Sequence, residues 1–214
     1  MMQPFTTLTG IAIPLLIDDI NTDQITPAQP KRSLHPDYHA AWFSRWRLDE
    51  AGNEIADCVL NAPQYRDAPI LVTGRNFGCG SAREGAAWAM IARGIRCIVA
   101  RSFSDFYRAN CIQNGILPVT LDQVDMATLE RVVTEANGTR PVTVDLEGQV
   151  VISPDDERFS FTMDPAERMM LLEGLDDIGL TMKHMSDIIG WEQRTVTSRP
   201  WLQAIPNQAK PSRR

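Results

Sequence analysis

Several hallmarks of membrane, secreted and nucleic-acid-binding proteins are missing from this 214-residue sequence. No run of about 18 apolar residues occurs, so a membrane-spanning helix is not expected. Residues 1–10 lack the basic segment followed by an apolar stretch that a secretory signal needs. The net charge is −6, and clustered Lys and Arg that could neutralise phosphates are not found outside the last residues. We therefore expect a cytoplasmic protein that binds neither nucleic acid nor a membrane.

Cysteine and histidine are scarce, which limits the metal sites that the chain could build. The four cysteines are not within Cys-x-x-Cys spacing of one another, and the three histidines are scattered. A zinc knuckle or a disulfide scaffold is therefore not expected. Cys97 lies in an apolar run and is interpreted as a small buried hydrophobe, whereas Cys79 lies in a glycine loop and could be accessible. We predict no complete metal site within this chain.

The middle of the sequence predicts alternating strands and helices. Apolar runs at 70–72, 95–100 and 116–121 have the length of buried strands. Between them, 82–93 and 104–114 have the length of helices, and each is followed by glycine. Such a βαβαβ unit implies a parallel sheet with right-handed crossovers, whose ligands bind beyond the carboxyl ends of the strands. We expect the loop that follows the first of these strands at that edge.

The flanking segments predict further elements of an α/β fold. The run 11–17 predicts a strand followed by a loop, and alternating apolar residues from 142 to 161 predict short antiparallel strands. Further helices are predicted from these segments: one starting at 37, and those at 126–136, 164–175 and 185–194. We expect one domain, residues 1–194, and a C-terminal tail at 195–214, which has few large apolar side chains.

The loop and helix start between Gly74 and Ala89 carry the most chemical information. Glycines at 78 and 80 allow a tight turn and close approach to a ligand. The predicted helix start offers N–H groups and a positive dipole end, which suit a carboxylate. Arg83, expected in the first helical turn, is unfavourable to that dipole. Two parallel hydrogen bonds from Arg83 to a substrate carboxylate would explain an arginine at this position. An ordinary surface ion pair is the alternative.

Ser81 has two interpretations. Ser81-Ala82-Arg83-Glu84 fits the capping box Ser-x-x-Glu, and spacing alone favours a helix cap over a catalytic role. Nucleotide-binding and hydrolase loops do not fit, because Arg83 stands where a dinucleotide fingerprint or a nucleophile elbow needs glycine, and no Gly-Lys-Ser/Thr of a P-loop occurs. A nucleotide-binding module on a similar scaffold is therefore disfavoured.

The stretch from Asn76 to Trp88 resembles the signature of the aconitase family's swivelling domain, particularly the 3-isopropylmalate dehydratase small subunits. Similar stretches follow in family order over most of 5–191, at 21–27, 43–47, 60–65, 100–110, 114–119 and 175–181. The resemblance implies a single swivelling β/β/α domain with a parallel βαβαβ core, added short strands and C-terminal helices.

The same resemblance implies dehydration and rehydration of a hydroxy dicarboxylate, converting 2-isopropylmalate to 3-isopropylmalate in leucine biosynthesis. By motif position, Ser81 would remove the proton next to a carboxylate as an alkoxide, and Arg83 would bind a substrate carboxylate. Asp23 would complete the catalytic site. The four-iron four-sulfur cluster is implied to sit on a large subunit, with none bound by this chain. The chain is therefore expected to act as a hydro-lyase only with that partner.

Two departures from the family pattern leave the substrate open. The family's usual Ser-Ser-Arg-Glu-His reads Ser81-Ala82-Arg83-Glu84-Gly85 here, so that a hydroxyl and an imidazole are lost. Ala82 would weaken a hydrogen bond to one substrate carboxylate. A paralogue acting on a citramalate or dimethylmalate is one alternative. A subunit that binds a metabolite or stabilises a partner without turnover is another, although the retained Ser81 and Arg83 favour catalysis.

A second candidate region is the loop 29–36. Members of the resembled family use this loop to contact the variable group of the substrate, so Lys31, Arg32 and Leu34 are the implied substrate-binding residues. A solvated basic loop is the alternative interpretation.

Overall fold

A computed structural model describes residues 2–27, 36–199 and 201. The chain divides into two compact units, Met1–Asp176 and Asp177–Arg214. The strands are β1 Thr7–Gly10, β2 Ala12–Leu15, β3 Ile70–Thr73, β4 Cys97–Ala100, β5 Leu117–Thr120, β6 Val142–Asp145, β7 Val150–Ile152 and β8 Arg158–Ser160. The α-helices are α1 Thr22–Ile25, α2 Tyr38–Ala41, α3 Ser44–Arg47, α4 Gly85–Ala92, α5 Asp105–Gln113, α6 Gln123–Ala136, α7 Pro165–Glu173, α8 Asp177–Met182 and α9 Met185–Ser198. Two short 3-10 helices span Val59–Asn61 and Pro63–Tyr65.

The parallel sheet has the order β2-β3-β4-β5, with every neighbouring pair parallel. All residues of β3 and β4 are buried, as expected of strands covered on both faces. The predicted βαβαβ unit is confirmed as β3-α4-β4-α5-β5, and the predicted strand within 11–17 is confirmed as β2. The predicted α/β fold class is therefore confirmed.

The second sheet is antiparallel and has the order β1-β6-β7-β8. In β6, Val142 and Val144 are buried while the residues between them are not, which is the alternation expected of a sheet with one covered face. The predicted short antiparallel strands are confirmed. Strand β1 was not predicted, because it is short and none of its residues is buried.

Beside α4 and α5, aromatic side chains from the segment between β2 and β3 belong to the same buried core as the parallel sheet. Trp42 and Phe43 are completely buried there, and the Trp42 indole N–H donates to the sulfur of Met90 at 3.2 Å. Cys97 and Cys111 are also buried, and burial raises the pKa of both thiols well above the ordinary value. The prediction that Cys97 is a small buried hydrophobe is confirmed.

Several helix boundaries differ from the prediction. The helix expected from 37 is two short helices, because Phe43 adopts a left-handed conformation with φ 44° between α2 and α3. Helix α6 begins directly after its cap Asp122, three residues earlier than predicted. Helix α9 continues to Ser198, so residues 195–198, predicted as tail, are helical. Arg199 N–H closes its last turn on the carbonyl of Thr195.

The domain boundary at 194 stays a prediction.

Among the residues that the structure describes, no helix is long and apolar enough to cross a membrane.

Candidate active site

The glycine loop that follows β3 lies between the segments that follow β2 and β4. On one side, Gly78 N–H donates to the Ile20 carbonyl at 2.8 Å, and Thr22 N–H donates to the Cys79 carbonyl at 2.9 Å. On the other side, Phe77 N–H donates to the Ser102 carbonyl at 3.0 Å. The prediction that this loop lies at the carboxyl edge of the parallel sheet is confirmed.

Gly78 is required at its position for two reasons. Its φ is +74°, a left-handed conformation that side chains disfavour. In addition, a Cβ at Gly78 would stand 2.1 Å from Cγ of Tyr107. The Tyr107 ring therefore lies directly against the loop backbone. The predicted tight turn is confirmed by the positive φ of Gly78, whereas its predicted close approach to a ligand stays a prediction.

Ser104 ties the glycine loop to the start of α5. Its hydroxyl donates to the Gly78 carbonyl at 2.7 Å, and its backbone N–H donates to the Phe77 carbonyl at 3.0 Å. The Phe77 ring packs edge-on against Tyr107 and Phe103, at centroid distances of 5.4 and 6.3 Å. We call these five residues, Phe77, Gly78, Phe103, Ser104 and Tyr107, the loop floor.

Ser81 does not cap the following helix, so the capping-box interpretation was wrong. Helix α4 begins at Gly85, and its cap residue Glu84 makes no side-chain cap bond. Between them the chain turns, because Arg83 N–H donates back to the Ser81 carbonyl at 2.8 Å. Arg83 consequently precedes the helix rather than lying in its first turn. The Ser81 hydroxyl is left to bond across to another segment.

The structure brings together the three residues to which sequence analysis gave the central roles, Ser81, Arg83 and Asp23. Arg83 Nε donates to Ser81 Oγ at 2.9 Å, while a terminal nitrogen of the same guanidinium pairs with Asp23 Oδ1. Both charged side chains are exposed, so the ion pair by itself adds little stability. A hydroxyl, a guanidinium and a carboxylate thus share one exposed hydrogen-bonded group.

Thr22 was not among the predicted site residues. This residue is 2% exposed, and its hydroxyl oxygen lies 3.1 Å from both the carbonyl oxygen and Oγ of Ser81. Asn21 places it by capping α1, in a reciprocal pair with Gln24. Thr22 stands inside the stretch 21–27 that resembles the family, but its contact with Ser81 joins segments 59 residues apart and leaves no local pattern.

The other predicted site residues are placed less centrally. Ala82 is exposed beside Ser81. Gly85 lies next to Tyr38, whose ring carbon Cε1 would be 3.3 Å from a Cβ at that position. Lys31, Arg32 and Leu34 fall outside the described residues, so the structure does not address their predicted role.

Arg75 links the segment after β2 to the glycine loop at the exposed rim. Its backbone N–H and its Nε donate to the two carboxylate oxygens of Asp18 at 2.8 and 2.9 Å. These two hydrogen bonds, the backbone one first, hold the pKa of Asp18 below its ordinary value. Asp18 therefore stays ionised at neutral pH and fixes the two segments relative to each other.

Cys79 and its surroundings offer no metal-binding set. Its Sγ donates to the Asp19 carbonyl at 3.4 Å, and desolvation raises the pKa of the thiol, with a further contribution from the Asp19 charge. The thiol is therefore protonated at neutral pH. Over residues 2–27, 36–199 and 201, no group of three or more His, Cys, Asp or Glu side chains could hold a metal ion. These residues do not fit the ligand set of an iron-sulfur cluster.

Three family models match successive parts of the chain. The aconitase C-terminal domain matches residues 2–124, and LeuD_N matches 132–165. The C-terminal domain of 3-isopropylmalate dehydratase small subunits matches 177–205. Together the three models account for most of the sequence.

Similar proteins cover the chain almost completely. A 3-isopropylmalate dehydratase small subunit from Roseobacter denitrificans is 47% identical over 202 residues, which are 94% of this chain and 100% of the relative. The corresponding protein of Caulobacter vibrioides is 45% identical over 205 residues, which are 95% of this chain and 100% of the relative. The crystal structure of a 3-isopropylmalate dehydratase from Methanocaldococcus jannaschii aligns with a TM-score of 0.60 at 23% identity, over 86% of this chain and 99% of that one, which supports the fold. The chain belongs to the family of 3-isopropylmalate dehydratase small subunits.

Proposed function

We propose that this chain works as the small subunit of a two-subunit dehydratase that interconverts 2-isopropylmalate and 3-isopropylmalate in leucine biosynthesis. The observation that carries the proposal is the hydrogen-bonded group of Ser81, Arg83 and Asp23 at the exposed carboxyl edge of the parallel sheet. Ser81 would act as the base, Arg83 would bind a substrate carboxylate, and Asp23 would orient Arg83.

Proton removal next to a carboxylate needs a strong base whose negative charge is stabilised. In the dehydration direction, the Ser81 alkoxide takes the proton and becomes a neutral hydroxyl, and the electron pair of the broken C–H bond forms the alkene. The neighbouring C–O bond breaks with its electron pair leaving on the oxygen as hydroxide, and rehydration adds hydroxide to one alkene carbon while Ser81 returns the proton to the other. A serine hydroxyl is a poor base at neutral pH, so donors must favour its ionised form. Arg83 Nε, 2.9 Å from Ser81 Oγ, is one such donor.

Arg83 can serve both the base and the substrate because its donors point in several directions. Its contacts to Ser81 and Asp23 use Nε and one terminal nitrogen. A substrate carboxylate could bind the outer edge of the guanidinium or displace Asp23 from it, and a guanidinium binds carboxylates through two parallel hydrogen bonds. Because Arg83 and Asp23 are both exposed, replacing Asp23 by a substrate carboxylate should cost little free energy.

The exposure of Ser81 and Arg83 supports an active site that a partner subunit completes. Ser81 and Arg83 are both exposed in the single chain, whereas electrostatic stabilisation of an alkoxide is strongest in a site from which water is excluded. The name small subunit, which the relatives carry, implies a large one. A four-iron four-sulfur cluster bound to cysteines of that larger partner would supply Lewis acidity for the departing hydroxyl. The isolated chain should consequently be inactive.

Reconstitution with the matching large subunit tests this function. The two chains should form a stoichiometric complex that converts 2-isopropylmalate faster than a citramalate or a dimethylmalate. The isolated small subunit should be inactive and should lack the broad absorbance near about 400 nm that such clusters show. A preference for another malate would reassign the substrate, and a complex without turnover on any of them would support the non-catalytic alternative. Cluster absorbance from the isolated chain would contradict the proposal that only the large subunit binds the cluster.

A further inference from the structure

The main chain around Thr22 holds its side chain in a defined place. Thr22 is the first residue of α1, and its backbone N–H donates to the Cys79 carbonyl at 2.9 Å. The preceding Asn21 accepts a hydrogen bond from Gln24 N–H at 2.9 Å, while the Gln24 side chain accepts one from Asn21 N–H at 2.7 Å. Because threonine is branched at Cβ and almost fully buried here, its side chain has few alternative rotamers.

The Thr22 hydroxyl faces two acceptors on the same residue. Its oxygen is 3.1 Å from the Ser81 carbonyl oxygen and 3.1 Å from Ser81 Oγ. A hydroxyl carries one proton, so it can donate to only one of these oxygens at a time. While Ser81 is neutral, Thr22 can donate a hydrogen bond to the carbonyl and accept one from the Ser81 hydroxyl.

The Ser81 carbonyl does not depend on Thr22 for a partner. Arg83 N–H already donates to it at 2.8 Å. When Thr22 rotates its O–H bond toward Ser81 Oγ, the carbonyl therefore keeps a hydrogen bond, and the penalty for an unsatisfied acceptor does not arise. The rotation moves a hydrogen within one hydroxyl group and transfers no proton.

We propose that Thr22 is a positioning residue whose hydroxyl turns from the Ser81 carbonyl to Ser81 Oγ when that oxygen becomes an alkoxide. The alkoxide then accepts hydrogen bonds from Thr22 Oγ1 and from Arg83 Nε, which come from two different segments of the chain. Two fixed donors of this kind stabilise developing negative charge in many enzymes. This inference rests on the proposed function of Ser81 as the base.

Thr22→Val and Thr22→Ser separate this role from packing. In the complex reconstituted with the large subunit, Thr22→Val should lower kcat for 2-isopropylmalate about 10- to 100-fold, the effect of one hydrogen bond to a charged group, with KM little changed. Thr22→Ser keeps the hydroxyl and should stay within about threefold of wild type. Thr143→Val is the control for removal of a threonine hydroxyl, because Thr143 also hydrogen-bonds another hydroxyl, that of Thr9, at 2.8 Å, at an exposed place in the antiparallel sheet. It should leave kcat unchanged.

A double variant shows whether Thr22 acts through Ser81. In a Ser81→Ala background, Thr22→Val should cause no further fall in residual turnover, because the oxygen that it serves is gone. Equal losses in both backgrounds would overturn the inference, as would wild-type kcat for folded Thr22→Val or failure of Thr22→Ser to rescue. In these cases the wild-type complex still turns over, so the proposed function stands. A wild-type complex that is inactive, with both chains folded and associated, overturns the proposed function and this inference with it.

Discussion

The two halves of the glycine loop are built in opposite ways. The first half, Phe77 and Gly78, is buried, and backbone hydrogen bonds and aromatic rings hold it from both sides. The second half, from Ser81 to Arg83, is exposed, and hydrogen bonds to polar side chains hold it. The buried half fixes where the loop lies, while the exposed half keeps its polar groups available to a substrate and a partner.

This contrast separates two kinds of mutational effect. Changes in the loop floor should lower the free energy of unfolding, because buried groups cannot be removed or enlarged without loss of packing or hydrogen bonding. Changes in the exposed half should leave stability within about 0.5 kcal/mol and act on turnover. Gly78→Ala tests the buried half and Arg83→Lys tests the exposed half, while Asp18→Asn tests the exposed contact of Arg75 just before the loop.

The largest effect on stability is expected from Gly78→Ala. Left-handed backbone conformation alone disfavours alanine by about 1 to 2 kcal/mol, and the clash with Tyr107 should add about 1 to 3 kcal/mol of overpacking. Gly52→Ala is the control, because Gly52 has a similar φ of +84° and nothing within 4 Å of its added Cβ. Denaturant unfolding of the isolated chain measures both variants. Equal losses of unfolding free energy in the two variants would show that packing against Tyr107 does not constrain the loop.

Arg83→Lys should lower kcat/KM and leave the free energy of unfolding nearly unchanged. Lysine keeps the positive charge but loses the forked geometry that meets Ser81 and a carboxylate together. We expect kcat/KM of the reconstituted enzyme to fall about tenfold or more, with a raised KM, as for loss of one charge-assisted hydrogen bond. Arg140→Lys, which alters the remote pair of Arg140 with Asp155, should leave the kinetics unchanged. Unchanged kinetics in Arg83→Lys would reduce Arg83 to a surface ion pair.

A small, pH-dependent effect is expected at Asp18. Because Arg75 lowers the pKa of Asp18 in the folded chain, ionised Asp18 stabilises the fold above its unfolded pKa, near about 3.9. This contribution is lost as the pH falls through the lower folded pKa. The stability advantage of wild type over Asp18→Asn should therefore be constant above about pH 5 and shrink below about pH 4. A difference that is independent of pH would contradict the preference of the two Arg75 hydrogen bonds for ionised Asp18.

Sequence alone predicted the parts of the fold that rest on local patterns. Strands β3, β4 and β5 were recognisable because each is a short apolar run, and glycine marked the ends of the helices between them. Gly78 could be assigned to a tight turn because glycine adopts a left-handed conformation more readily than residues with a side chain.

The parts that could not be predicted depend on distant contacts. Ser81 and Glu84 have the spacing of a capping box, but the Ser81 hydroxyl lies against Thr22, which is 59 residues away in the sequence. The pairing of β1 with β6 joins Thr7 to Asp145, and nothing local marks either segment as the partner of the other. The family resemblance therefore indicated the catalytic candidates, although spacing alone favoured a cap at Ser81. Tertiary contacts determine how their side chains are held.

Turnover of the reconstituted two-subunit enzyme carrying Ser81→Ala tests the central claim most directly. Since Ser81 is exposed and does not cap α4, its replacement should leave folding and association with the large subunit intact. We predict that kcat for 2-isopropylmalate falls on the order of 10² or more, while Ser160→Ala, a hydroxyl removed from β8, keeps wild-type turnover. Near-normal turnover of the Ser81→Ala complex would contradict the assignment of Ser81 as the base.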